Sequence, residues 1–172
     1  MRQAIDEKPY TEILAGRSVP KVSPKRRHAI LQWRIAALVA RLAGDRGDVG
    51  TEWRFWISGP GEPRTTLVPD VAFVSRERMA ALTPEEREQP PFAPDLAIEV
   101  RSPSDRIADV EWKRRAYLAA GARVVIDVLP EAREIRALST AGDATLRIGE
   151  RYTSDALLWL AFDVADIFAG LD

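Results

Sequence analysis

Residues 94–122, PDLAIEVRSPSD followed by RIADVEWKRRAYLAAGA, constrain this chain more than any other stretch. From Asp95 to Arg101 the pattern alternates as in a strand. Leu96, Ile98 and Val100 point one way; Ala97, Glu99 and Arg101 point the other. A helix is expected from about Ser104 to Ala120, closed at Gly121. A further strand then runs from Arg123 to Leu129, and its Val124-Val125-Ile126 run suits a sheet interior.

The flanking chain supplies more strands and a long helix. Tyr10 to Leu14 and Ser18 to Val22 read as short strands around Ala15-Gly16. Ser23-Pro24 predicts an N-cap with proline at the first helical position, and the helix runs to about Ala43 before Gly44. Its apolar stripe is Leu31, Ile35, Leu38 and Leu42, and His28 extends it by one step. Thr51 to Ile57 and Leu67 to Val74 read as strands on either side of a turn at Gly59-Pro60-Gly61-Glu62-Pro63, the second interrupted by Pro69. Arg76 to Pro94 reads as a short helical excursion and loop. Strands are expected at Arg133 to Leu138 and Ala144 to Ile148, with a final helix between Phe162 and Leu171. This order predicts an α/β fold, a mixed β-sheet flanked by helices, in one domain over residues 1–172.

Composition narrows the chemistry. The chain has 172 residues, 46% of them hydrophobic, but no apolar run near the roughly 20 residues of a membrane span. It begins MRQAIDEKPY, without the apolar segment of a signal peptide, so a cytoplasmic location is expected. It has no cysteine, so a metal must use oxygen ligands or the single histidine. The net charge of −1 lacks the basic excess common among nucleic-acid binders. Basic clusters at Lys25-Arg26-Arg27 and Lys113-Arg114-Arg115 and the acidic Glu85-Glu86-Arg87-Glu88 are each compatible with a solvated helix face.

Three residues stand out from this background. Glu99 is a carboxylate in an otherwise apolar strand, a costly placement unless it is paired or binds metal. An ion pair with Arg101 or a lysine at a sheet rim is the plainer reading. Asp70 follows Pro69 where a loop enters a strand, which is an ordinary place for Pro-Asp. Lys113 lies three residues after Val110 and four before Tyr117, on the stripe with Ile107 and Leu118, and must snorkel or reach a buried acid. Glu99 is one such acid; Asp109, four residues earlier on the same helix, is the other. Two carboxylates with water and phosphate oxygens suit Mg²⁺ or Mn²⁺, and a lysine beside them can steady an attacking water or charge developing on phosphorus.

PDVAFV at Pro69 to Val74, PDLAIEVRSPSD, EWKRRAYLAAGA and VVIDVLPEAREIRAL together resemble the Uma-type restriction endonucleases of bacteria, a branch of the PD-(D/E)xK nuclease superfamily. The resemblance extends to Ser23-Pro24 with His28 and to Asp166-Ile167-Phe168, so it covers nearly the whole chain. It implies a restriction-endonuclease-like core and a metal-dependent (deoxyribo)nuclease acting on DNA. Asp70 and Glu99 match the metal-binding acids, and Lys113 matches a lysine moved from strand to helix. Arg101 occupies the strand position of the usual lysine; it cannot titrate but can hold a phosphate. His28 is a candidate near phosphate or DNA, or a hydrogen-bonded structural residue. Glu12 is a further candidate acid. Many relatives carry an aromatic where this chain has Val124-Val125-Ile126. The alternative to an enzyme is a catalytically silent nucleic-acid-binding or scaffold module on the same fold. Cutting both strands commonly needs two sites, so a homodimer is expected.

Overall fold

The computed structural model describes residues 11–21, 24–58 and 65–171. Two sheets carry most of the architecture, with a third small one beside them. The large sheet has six strands in the order β10-β9-β8-β7-β6-β3. These are β3 (Gly47–Thr51), β6 (Val71–Ser75), β7 (Leu96–Val100), β8 (Val124–Leu129), β9 (Glu134–Ser139) and β10 (Gly142–Arg147). β7 and β8 run parallel, joined by the crossover helix α4 (Ile107–Ala119); every other pairing in this sheet is antiparallel. A second sheet, β2-β1-β5-β4, contains β1 (Thr11–Leu14), β2 (Arg17–Pro20), β4 (Phe55–Trp56) and β5 (Thr66–Leu67). β11 (Arg151–Thr153) pairs with β12 (Ala161–Asp163).

The alternation of β7 decides what each face of the large sheet meets. Leu96, Ile98 and Val100 join Val124, Ile126 and Val128 of β8 in the main core, against Leu31, Ile35, Leu38 and Val39 of α1 (Arg26–Ala43) and Ile167 and Phe168 of α5 (Val164–Phe168). Ala97 and Val125 face the other way and pack with Tyr117 of α4, Leu14 of β1 and Leu67 of β5. Glu99 and Asp127 have the parity of this second face and stand in register with each other. No described helix is long and apolar enough to cross a membrane.

Several boundaries differ from the sequence reading, each for a local reason. The N-cap of α1 is Lys25, so Pro24 precedes the helix rather than opening it; Ser23 lies outside the described residues. Residues 51–57 are not one strand. β3 ends at Thr51, Glu52 takes a positive φ of 52°, and β4 joins the other sheet. The expected strand from Leu67 to Val74 is likewise divided between two sheets around Pro69, as β5 and β6. α4 starts at Ile107, whose side chain is 72% exposed, so the buried stripe begins at Val110. The C-terminal segment 162–171 opens with β12 and is helical only over Val164–Phe168. The expected turn at 59–63 falls outside the described residues. Within 76–94 the chain forms α2 (Arg76–Ala80) and α3 (Pro84–Glu88), the latter closed by a capping box between Thr83 and Glu86.

Two tight backbone features position the elements around the second face. The β1–β2 hairpin turns through Ala15 and Gly16, both at positive φ (49° and 83°), the combination a two-residue hairpin with matched twist requires. In β3, a Cβ at Gly47 would collide with the carbonyl of Val74, so only glycine lets that strand approach β6.

Candidate active site

The second face of the large sheet ends in a cleft of about 720 Å³ between β7, α4, the β1–β2 hairpin and the start of α1. Asp70 stands one residue before β6 and Glu99 near the end of β7; both line this cleft, with Lys113 of α4. The β6–β7 register pairs Val71 with Ile98, so the next pair outward is Asp70 and Glu99. The Nζ of Lys113 lies 2.9 Å from Oε1 of Glu99 and 3.0 Å from Oε2 of Glu12 on β1. The alternative partner Asp109 instead meets Arg17 at 2.6 Å.

Each acid is held by several groups. Asp70 is 2% exposed, and its Oδ2 accepts the N–H of Val100 at 2.7 Å. The Nε2 of His28, from the first turn of α1, lies 3.3 Å from the same oxygen. The Gln32 side chain, one turn on, donates to the Asp70 carbonyl at 3.1 Å. Asp70 Oδ1 is buried, with the Lys21 ammonium 2.8 Å away. Glu12 accepts the Val68 N–H at 2.9 Å through Oε1, which ties β1 to the loop before Asp70. The Tyr117 hydroxyl donates to Glu99 at 2.9 Å.

These contacts divide the charges. Burial pushes Glu99 up to about 7, aided by the nearby Asp70 and opposed by Lys113. Asp70 is equally enclosed, but Lys21 and the His28 bond outweigh its burial and hold it well below the usual carboxylate range. Lys113 loses solvation too, yet Glu99 and Glu12 keep its pKa above the ordinary lysine value. Lys113 therefore carries its charge across the physiological range, Asp70 is ionised, and Glu99 is poised to exchange a proton near neutrality.

The Uma2 family model, described as "Putative restriction endonuclease", matches residues 2–161. The chain belongs to the Uma2 family. A solved structure similar to this Uma2 protein is that of "a putative nuclease belonging to DUF820" from Anabaena variabilis ATCC 29413. The TM-score is 0.83, with 16% identity over 96% of this chain and 93% of that one; at that identity the likeness shows the fold. No curated protein matches the sequence.

All five residues singled out as a site in this Uma2 protein, Asp70, Glu99, Lys113, Arg101 and His28, line the cleft, as does Glu12. Arg101 does not pair with Glu99: its Nε meets Asp105 at 3.1 Å and its Nη1 lies 3.9 Å from Asp127. Asp127, 1% exposed, is gripped by the Arg114 guanidinium through two nitrogens. Sequence reasoning missed this Arg101–Asp127–Arg114 group. The signal was present: Asp127 interrupts an apolar strand two residues after Val125, the same parity that marks Glu99. Tyr117 was read only as core, because its hydroxyl leaves no periodic trace. Lys21 had no sequence signal, since it lies beyond the end of β2.

The donor chemistry fits a hard divalent cation. Asp70, Glu99 and Glu12 offer carboxylate oxygens, the Val68 carbonyl lies beside them, and Asp70 Oδ1 meets only a lysine ammonium among the described residues. Among the described residues, no three His, Asp or Glu side chains form a ready cage. Lysine ammoniums lie between these oxygens instead.

Proposed function

We propose that this Uma2 protein is an endonuclease that hydrolyses phosphodiester bonds of DNA with Mg²⁺ or Mn²⁺ at Asp70 and Glu99. The observation that carries this reading is the Lys113 ammonium seated on Glu99, in register opposite the buried Asp70, in an open cleft. A bound divalent ion would supply Lewis-acid polarisation of the phosphate and a more acidic water. Asp70, ionised and fixed by Val100 and His28, would hold the ion, and Glu99 would complete its protein ligands. Lys113, always charged, would face the non-bridging oxygens where charge develops. Without metal, burial pushes Glu99 up to about 7, so seating an ion on it at neutral pH would release a proton from part of the population. Arg101, held at the cleft wall by Asp105 and Asp127, would receive an adjoining phosphate.

The test is cleavage of single-stranded, duplex and branched DNA in Mn²⁺ and Mg²⁺ by wild type, Asp70→Asn and Glu99→Gln. Metal-dependent cutting by wild type alone supports the reading. Binding without cutting under every condition favours the silent module, a reading supported by the two lysines that already neutralise the acids. Duplex cutting is expected from a homodimer, which sizing of the DNA-bound protein would reveal.

A further inference from the structure

Lys21 has no part in the chemistry proposed above, yet it stands at its centre. It lies one residue past β2, and its Nζ donates to the Val68 carbonyl at 2.6 Å while standing 2.8 Å from Asp70 Oδ1. Its side chain is largely enclosed. The carboxylates of Asp70, Glu99 and Glu12 all act on its charge, and Lys113 opposes them. The position is therefore defined by a buried carboxylate oxygen, a backbone carbonyl and the field of two further acids. Those are the features of a site for a hard cation.

From this geometry we infer that Lys21 is an internal counter-cation occupying the place of the divalent ion, and that metal binding requires its ammonium to leave Asp70. The inference rests on the metal-dependent reading of the site and adds to it a built-in competitor. Two cations cannot share Oδ1. At a separation of a few ångströms beside the buried Asp70 carboxylate, a divalent ion and an ammonium repel by more than thermal energy. Departure of Lys21 is feasible because its ammonium sits on a flexible four-carbon stem that can carry the charge to the cleft mouth, exchanging the contacts with Asp70 and the Val68 carbonyl for water. Without metal, Lys21 neutralises a carboxylate that would otherwise be buried and uncompensated, so the empty site stays folded. The cost is a weaker affinity for the ion, since each binding event must first break this pair.

Calorimetric titration of the full chain with MnCl₂ at neutral pH tests this directly, on wild type, Lys21→Met, Lys21→Gln and Lys21→Arg. The two uncharged variants should bind Mn²⁺ at least tenfold more tightly, and the arginine variant should bind as weakly as wild type. In chelator the uncharged variants should melt below wild type, and saturating Mn²⁺ should close or reverse that gap. Wild-type binding with no tightening in the uncharged variants overturns the inference and leaves the metal reading intact. Equal tightening in Lys21→Arg also overturns it, because the charge would then be irrelevant. If the uncharged variants stay unfolded even in Mn²⁺, Lys21 is a structural cation and the inference fails. If neither wild type nor any variant binds Mn²⁺, the metal reading falls and takes the inference with it.

Discussion

The hydroxyl of Tyr117 donates a 2.9 Å hydrogen bond to Oε1 of Glu99, the same oxygen that Lys113 approaches at 2.9 Å. Tyr117 and Lys113 are four residues apart on α4, so one helix face delivers a neutral donor and a cation to one carboxylate oxygen. Glu99 is thus oriented as well as neutralised.

Tyr117→Phe keeps the packing and removes only the donor. We expect the turnover number for DNA cleavage to fall on the order of tenfold with KM nearly unchanged, the pattern of a positioning residue behind a ligand. The loss in stability should be about 1.5 kcal/mol, as for a hydrogen bond to a charged group. An unchanged turnover number would show that Lys113 alone orients Glu99.

Lys113→Met keeps much of the stem and deletes the charge. Cleavage per folded molecule should drop on the order of 10²- to 10³-fold, the effect of losing one preorganised donor to a developing anion. The variant should also be destabilised by about 3 kcal/mol without metal, since Glu12 and Glu99 both lose their counter-ion. Denaturant unfolding and single-turnover cleavage separate the two effects. Full cleavage by the folded fraction would reduce Lys113 to a structural partner.

Divalent metal should stabilise the native state by RT ln(1 + [L]/Kd), about 2.7 kcal/mol at one hundred times Kd. Asp70→Asn should abolish the rise in melting temperature. A melting curve unmoved by millimolar Mn²⁺ would argue against a metal at Asp70 and Glu99.

The pH dependence of stability follows from Glu99 and His28. Burial raises Glu99 from 4.5 to about 7, so across that window the folded protein keeps a proton that the unfolded chain has released. Raising pH through the window therefore favours unfolding. His28, raised above 6.5 chiefly by its bond to Asp70, adds to the decline; its stabilisation is full below 6.5 and is lost as pH passes its folded value. Asp70, held low, acts oppositely only in acid, where its stabilisation disappears below the usual carboxylate range. Metal-free melting temperature should fall from pH 5 to pH 7.5, and Glu99→Gln should flatten the part below pH 7. A slope that persists unchanged in Glu99→Gln would assign it to other groups.

The β7–α4–β8 unit was legible in sequence because three signals agree there: a period of two in Leu96 to Val100, a glycine stop at Gly121, and an apolar strand after it. Glu99 and Lys113 could be singled out because each is a charge on an apolar pattern, whereas Asp70, an ordinary Pro-Asp at a strand entry, stood out through the family resemblance. Of the second sheet only the β1–β2 hairpin was legible, as two short strands around Ala15-Gly16. Strands β4 and β5 have two residues each, too few for a period, and Glu52 turns the chain through a left-handed φ that nothing in Thr51-Glu52-Trp53 announces. Glu12 and Lys21 therefore could not be placed around the acids by pattern. Their positions depend on how the β1–β2 hairpin docks, which is a tertiary matter.

That docking has a kinetic consequence. The hairpin is fastened by contacts remote in the chain: Arg17 to Asp109 across 92 residues, and Glu12 to the Val68 N–H across 56. Closing spans of that size costs entropy before any contact rewards it, which slows the formation of such contacts relative to local structure. The six-stranded sheet can form most of its ladder from shorter connections, so the hairpin should arrive late. The cleft then comes into being as the last act of folding, and a partly folded chain carries Glu99 on its strand before Glu12 and Lys21 can reach it.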